Sequence, residues 1–181
     1  MTVFCYGGFI MSKLDEDIQH GHYLIHPDGT VTDTRTGLMW KRCAEGQTWN
    51  GNTCVGEAIA VLWNEVMPNG QQKSWPAFAG YDDWRMPTID ELRTLAYCSS
   101  GKPRTWNDTK EEYFRCEGNY QRPTIDQVAF PNTDPEGVWS SSPVASVSSI
   151  SWALSFDSGY AHWYVIFYSR KVRLVRAGRV Q

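Results

Sequence analysis

The sequence lacks the features that mark several large classes of protein. Its 181 residues contain no apolar run of about 18 residues, so no membrane-spanning helix is predicted. The formal net charge of −3 gives no basic field that would indicate nucleic-acid binding. There is no Gly-x-Ser-x-Gly, phosphate-loop or dinucleotide-binding motif. No cysteine pair has CxxC spacing and the four histidines form no metal pattern with nearby acids, so we expect neither a metal nor a cofactor.

Aromatic and turn-forming residues, in contrast, are abundant. The chain has nine Trp, nine Tyr and seven Phe, together with 15 Gly and 9 Pro. Such a composition is typical of a loop-rich β protein or of a binding surface. The length suits one domain, which we place at residues 22–181 behind an N-terminal extension at 1–21.

Four of the five cysteines bracket polar, turn-rich segments in two pairs, Cys43 with Cys54 and Cys98 with Cys116. We expect these pairs to form disulfides, which would place the protein in an oxidising compartment. Four free or buried thiols in the cytosol are the alternative. The fifth, Cys5, lies in MTVFCYGGFIMSK, which has no basic start and no long apolar core, so no signal peptide is predicted.

The predicted elements follow an α+β order, with two helices and a strand-rich C-terminal third. Apolar residues at helical spacing predict a helix over 56–66. Thr88 and Glu91 have the spacing of a capping box and predict a second helix over 89–98. Strands are predicted at 23–26, 30–33, 38–42, 138–142, 150–156, 160–168 and 171–176.

Six sequence motifs, taken in order, resemble one protein family. They are DGTVTDTRTGLMWKRC (28–43), GYDDWRMPTIDEL (80–92), FPNT (130–133), VWSSSP (138–143), SWALSFDSG (151–159) and VRLVR (172–176). In this order they resemble the C-terminal domain of bacterial collagen-like adhesins of the Lcl type. The resemblance implies a C-type-lectin-like fold of the formylglycine-generating-enzyme branch. The same domain type resembles the variable proteins of diversity-generating retroelements, such as the phage major tropism determinant, whose last strands and loops mutate at adenines of Asn codons.

Residues 144–170 have the composition of a binding surface. They hold seven of the chain's fourteen serines, with three Tyr and two Trp, and they contain no Lys and no Glu. Tyr offers a large rigid contact area and Ser offers adaptable hydrogen bonds, a combination found in paratopes. A purely structural Ser-rich hairpin with aromatic cross-strand pairs is the alternative.

Within this window we separate a scaffold from a ligand-binding set. Strand alternation predicts that Trp152, Leu154 and Phe156 point inward, opposite Ala153, Ser155 and Asp157. Most members of the ligand-binding set are residue types that adenine mutation of an AAC codon produces, and Trp163 is added as a candidate contact. The set is Val144, Ser146, Val147, Ser149, Ile150, Ala153, Ser155, Asp157, Ser158, Tyr160, His162, Trp163, Tyr164, Ile166, Tyr168 and Ser169.

These observations lead to three hypotheses about function. The first is a variable protein of a diversity-generating retroelement, whose hypervariable face recognises a protein or glycan receptor on a cell surface. Such a protein would be located outside the cell or on a virion. The second is a fixed-sequence adhesin-type lectin domain that binds acidic polysaccharide. The third is an enzyme of the formylglycine-generating type, which needs reactive cysteines in its C-terminal part. Because residues 117–181 contain no Cys, we expect no enzymatic activity.

Overall fold

The computed structural model describes residues 16–104, 115–144 and 147–178. It is a mixed α+β structure with two short α-helices and many strands, which confirms the predicted class. No helix in the described ranges is long and apolar enough to cross a membrane. The helices are α1 (Trp63–Val66) and α2 (Ile89–Arg93). The strands are β1 (Ile18–His20), β2 (Tyr23–Ile25), β3 (Thr30–Asp33), β4 (Leu38–Lys41), β5 (Thr48–Trp49), β6 (Cys54–Val55), β7 (Ala60–Leu62), β8 (Pro103–Arg104), β9 (Arg115–Cys116), β10 (Gly137–Pro143), β11 (Ile150–Ser155), β12 (Tyr160–Val165), β13 (Ser169–Lys171) and β14 (Val175–Ala177).

Two five-stranded sheets organise the chain. The first has the order β1-β2-β3-β4-β14 and is antiparallel throughout. The second has the order β12-β11-β10-β13-β7, in which only the β10–β13 pair is parallel. The first sheet begins at Ile18, so residues 18–20 are paired with the domain although they fall within the extension expected at 1–21.

The second sheet lies between two apolar clusters. The first cluster joins the two sheets and α2 through residues such as Trp40, Leu92, Leu154 and Phe156, all fully buried. The second cluster gathers tryptophans around Ala153 and Trp139 on the opposite side of β11. Both faces of β11 are therefore covered at Ala153 and Leu154, while Ile150, Trp152 and Ser155 stay half-buried.

The helix predicted over 56–66 forms only in its last four residues. Residues Ala60–Leu62 form β7 and pair with β13, and the helix is limited to Trp63–Val66. The second helix begins at the predicted position but ends at Arg93 instead of residue 98. The apolar spacing gives this segment only a weak helical preference. Pairing with a strand more than 100 residues away overrides that preference.

The capping box at α2 forms as predicted. The Thr88 hydroxyl accepts a hydrogen bond from the Glu91 amide at 3.2 Å, and the Glu91 carboxylate accepts one from the Thr88 amide at 2.8 Å. The hydroxyl of Ser142 accepts from the Ile89 amide at 3.0 Å, which ties the start of the helix to β10. The helix thereby fixes the position of the second sheet.

The strand predicted over 171–176 is divided into β13 and β14 by a buried turn that contains Arg173. The alternating residues of VRLVR favour a single strand with one solvated face, and this interpretation is wrong, because Arg173 is only 1% exposed. Its guanidinium donates to the carbonyls of Lys41 and Arg42 at 3.1 and 2.7 Å and to the Thr133 hydroxyl at 2.9 Å. Burial lowers the pKa of Arg173 to about 10.

Both expected disulfides are present. The Cα atoms are 5.4 Å apart in Cys43–Cys54 and also 5.4 Å apart in Cys98–Cys116. Disulfides of this kind fit an extracellular rather than a cytoplasmic protein. Cys5 lies outside the described residues.

Candidate functional site

The register of β11 against β12 brings predicted ligand-binding residues onto one face of the second sheet. Ser155 pairs with Tyr160, Ala153 with His162, and Ser151 with Tyr164. Directly paired residues of antiparallel strands point to the same side of a sheet. We call the side formed by Ser155, Tyr160, His162 and Tyr164 the β11–β12 face. The sequence predicted these four side chains to be largely exposed, but each is half-buried.

The three rings of the β11–β12 face contact one another in a row. Tyr160 and His162 stack with centroids 5.4 Å apart, and His162 meets Tyr164 edge-on at 5.5 Å. The Tyr160 hydroxyl lies 3.4 Å from His162 Nδ1. Burial lowers the pKa of His162, which favours the neutral ring at physiological pH. The row presents stacked aromatic surfaces with polar edges, and its side chains are already ordered by their mutual contacts.

Arg170 extends this row and was missed by sequence reasoning. Its guanidinium lies 3.5 Å from the centroid of the Tyr164 ring and 5.6 Å from that of Trp139. Gly137 makes room for it, because a Cβ atom there would collide with the guanidinium. In the sequence Arg170 falls in a basic C-terminal stretch with Lys171, Arg173 and Arg176, and the pairing of β13 with β10 is not visible locally. The available signal was that Arg170 is the only Lys or Arg in residues 144–170.

An open groove of about 420 Å³ adjoins the face beside Arg170. Its walls combine three predicted ligand-binding residues with residues around the start of β10. The lining residues are Pro135, Glu136, Gly137, Ser155, Asp157, Ser169 and Arg170. The groove has polar groups of both charges and can accept a polar side chain or a sugar-sized group.

A second group of predicted residues lies at the opposite end of the same strands. There the Ile166 amide donates to the Ser149 carbonyl at 3.0 Å, which joins the loops that flank β11 and β12. Val147 and Tyr168 are 41% and 65% exposed, and Phe167, which the sequence did not single out, is 69% exposed. Ile166 instead packs partly against the second cluster. The predicted residues in this group are Val144, Val147, Ser149, Ile150, Ile166 and Tyr168.

Some predicted positions are not available on the β11–β12 face. Ala153 points to the same side of the sheet as His162 but is fully buried against the second cluster, so its side chain cannot contact a ligand. Trp163 is 43% exposed but points to the other side of the sheet, where it pairs with Trp152. Trp152 was expected to be buried and is only half-buried, beneath the Arg93 guanidinium. Ser158 contributes its carbonyl to a hydrogen bond from the Cys116 amide at 2.9 Å. Ser146 lies outside the described residues.

Two histidines of the described ranges pair with acids. His20 lies 3.0 Å from Asp126, and His26 lies 2.7 Å from Asp17 and 2.9 Å from the Thr32 hydroxyl. Within residues 16–104, 115–144 and 147–178, no group of three or more His, Cys, Asp or Glu side chains is arranged to hold a metal ion.

The sequence profile of the Lcl C-terminal domain matches residues 29–176. This match runs from the turn before β3 into β14 and includes the β11–β12 face, Arg170 and both disulfides. No curated protein and no solved structure matches the chain. Because the profile covers most of the 181 residues, the chain belongs to the Lcl C-terminal domain family, an adhesin-like C-terminal domain.

Proposed function

We propose that this domain recognises a protein or glycan receptor outside the cell through its β11–β12 face, and that a diversity-generating retroelement varies that face. The scaffold is C-type-lectin-like in this proposal. The observation that carries it is the strand register, which gathers Ser155, Tyr160, His162 and Tyr164 on one side of the sheet. A surface that changes often needs its variable positions to share a face that does not hold the core together.

The separation of buried and half-buried positions supports the variable face. Leu154, Phe156 and Ala161 are fully buried in the first cluster, while their chain neighbours Ser155, Tyr160 and His162 are half-buried on the β11–β12 face. Ser, Tyr and His are among the residues that adenine mutation of AAC codons gives in the variable proteins that this chain resembles. Substitution at Ser155, Tyr160 or His162 alters the ligand surface and leaves the buried packing intact, whereas Tyr164 also packs against the second cluster.

In this proposal the domain binds its receptor and catalyses no reaction. Enzymes of the formylglycine-generating type, which this chain resembles, require reactive cysteines. In the described ranges all four cysteines are joined in disulfides. These disulfides also support a position outside the cell or on a virion surface.

The genomic DNA that flanks this gene tests the retroelement. We expect a near-copy of the segment that encodes residues 139–176, with differences confined to adenine positions, and a reverse transcriptase gene nearby. The Trp139, Leu154 and Phe156 codons should be identical in both copies, because these side chains are fully buried. The absence of a near-copy, or differences spread over all four bases, would favour the fixed-sequence adhesin instead.

A selection experiment tests the face itself. A library randomised at Ser155, Tyr160 and His162 should yield folded binders to an unrelated protein target. A control library of the same size at Thr34, Arg35 and Thr36, which are exposed on the turn between β3 and β4, should not. Equal enrichment of both libraries would contradict a specialised recognition face.

A further inference from the structure

We propose that Arg170 forms a carboxylate-binding subsite in the groove, and that its ligand is a Glu or Asp side chain of a protein receptor. This inference rests on the proposed receptor recognition and names the chemistry of one contact. The subsite consists of the Arg170 guanidinium with the hydroxyls of Ser155 and Ser169, which line the same groove. Arginine binds carboxylates through paired, charge-assisted hydrogen bonds.

The acids nearest to Arg170 already have cationic partners. Glu136 lies 3.6 Å from the Lys171 ammonium, and Asp157 lies 3.1 Å from the Arg122 guanidinium. Within the described part of the chain, Arg170 has no ion pair, and its Nε atom is buried without a hydrogen-bond partner. The three cations Lys171, Arg122 and Arg170 therefore face two acids, Glu136 and Asp157, and the Glu136 carboxylate acts on Arg170 without forming an ion pair with it.

The position of the guanidinium suits a bidentate contact. The ring of Tyr164 lies against it at 3.5 Å, and the guanidinium packs closely over Gly137, so these two neighbours hold the planar fork in place beside the groove. Burial partly desolvates the Arg170 cation before any ligand arrives, and it lowers the pKa of Arg170 for the same reason. A partly desolvated cation gains more from an incoming carboxylate than one fully surrounded by water.

The surroundings favour a single carboxylate on a peptide over a polyanionic polymer. Glu136 and Asp157 are 64% and 63% exposed at the margin of the groove and would repel further negative charges on a ligand. The adjoining Ser, Tyr and His side chains provide the mixed aromatic and hydroxyl surface that is common where proteins bind proteins. A receptor segment with one acidic residue among neutral residues fits both features.

A peptide titration followed by NMR tests the subsite. The probe is an N-acetylated, C-amidated Gly-Glu-Gly tripeptide, with the Gly-Gln-Gly tripeptide as its neutral match. We expect the Nε–Hε resonance of Arg170 to shift saturably with the Glu peptide alone. The Arg170→Lys variant keeps the charge but not the planar fork, and should bind about tenfold more weakly, as the loss of one charge-assisted hydrogen bond predicts. Arg35→Gln, which removes a positive charge from the first sheet, should bind like the wild type.

Three results would overturn the subsite. They are a Glu peptide that produces no saturable shift, equal responses to both peptides, and unchanged affinity in a correctly folded Arg170→Lys protein. Binding of a uronic-acid oligosaccharide through Arg170, without binding of the peptide, would overturn the assignment to a protein ligand.

The subsite and the proposed function can fail separately. If selected binders depend on Tyr160 and His162 but tolerate Arg170→Gln, the subsite is wrong and the recognition face stands. If the Glu peptide binds through Arg170 but no mutated near-copy exists in the DNA, the subsite belongs to a domain of fixed sequence.

Discussion

Neighbouring residues of β11 and the turn that follows it differ sharply in what they contribute to stability. Leu154 and Phe156 are fully buried, whereas Ser155 between them is half-buried on the β11–β12 face. We expect Phe156→Ala to cost about 3–5 kcal/mol through a cavity, and Ser155→Ala to stay within about 0.5 kcal/mol. Urea unfolding of the two variants measures the difference. Equal losses would contradict the assignment of scaffold and face.

Trp152 and Tyr164 refine this division. Because Trp152 is only half-buried, Trp152→Ala should cost less than Phe156→Ala in the same assay. Tyr164 packs partly against the second cluster and beneath Arg170, so substitution to Ser should cost more there than at Tyr160. The row of aromatic residues is therefore graded, with its Tyr164 end closest to the core.

Thr88 offers a second test at the scale of one side chain. Its hydroxyl accepts the Glu91 amide, so Thr88→Ala should destabilise the protein by about 1 kcal/mol. Thr88→Ser keeps the acceptor and is the matched control. Thermal unfolding compares the two, and identical melting curves for Ala and Ser would show that the cap contributes nothing.

At the level of elements, what the sequence could predict depends on how local the pairing is. The β11–β12 hairpin was predictable, because Asp157-Ser158-Gly159 marks its turn and the residue types alternate on each side. The β7–β13 and β10–β13 pairs were not predictable, since their partners lie far apart in the chain. The same non-local pairing turned a predicted helix into β7 and placed Arg170 beside the face.

Burial was harder to predict than strand position. Alternation placed Ala153 on the side opposite Leu154, and that was correct. It could not show that the second cluster covers that side as well. The tryptophans of this cluster come partly from α1 and from the chain between the 3₁₀ turn Pro68–Gly70 and α2. A strand alternates in the same way whether one of its faces or both are covered.

The two disulfides join elements rather than single residues. Cys43–Cys54 links the chain after β4 to β6, and Cys98–Cys116 links the chain after α2 to β9. Each should contribute about 3 kcal/mol by limiting the unfolded chain. In natively isolated protein, neither pair should react with an alkylating agent until a reductant is added. Four reactive thiols in such protein would contradict both bonds and the oxidising compartment.

For the whole molecule, acidification should lower stability in two steps. Burial lowers the pKa of His162 and, with a smaller effect of Arg35, that of His22 below the usual 6.5. On acidification these histidines therefore bind protons at a higher pH in the unfolded chain than in the folded protein. The free energy of unfolding consequently falls as the pH drops below 6.5. Burial alone would raise the pKa of Glu91, but hydrogen bonds from Arg85 and Thr88 outweigh it and lower the pKa below 4.5. Its contribution is present above pH 4.5 and is lost as the pH falls through the folded-state pKa.

Two variants separate these steps in urea unfolding measured between about pH 7 and pH 3. His162→Gln should reduce the loss in the upper step and leave the lower step unchanged. Glu91→Gln retains an acceptor for the capping box and should reduce the lower step. A free energy of unfolding that rises on acidification would contradict the sign of both shifts.

The last two strands, β13 and β14, determine which translation products can fold. β13 completes the interior of the second sheet and β14 forms an edge of the first, with the buried Arg173 between them. β13 begins at Ser169, the last residue of the proposed ligand-binding set, and β14 follows it. A stop codon or frameshift anywhere in 144–168 therefore removes a strand from each sheet, and such a product cannot complete either core. Only chains translated through the whole varied segment can therefore fold, and truncated variants are not displayed as folded protein.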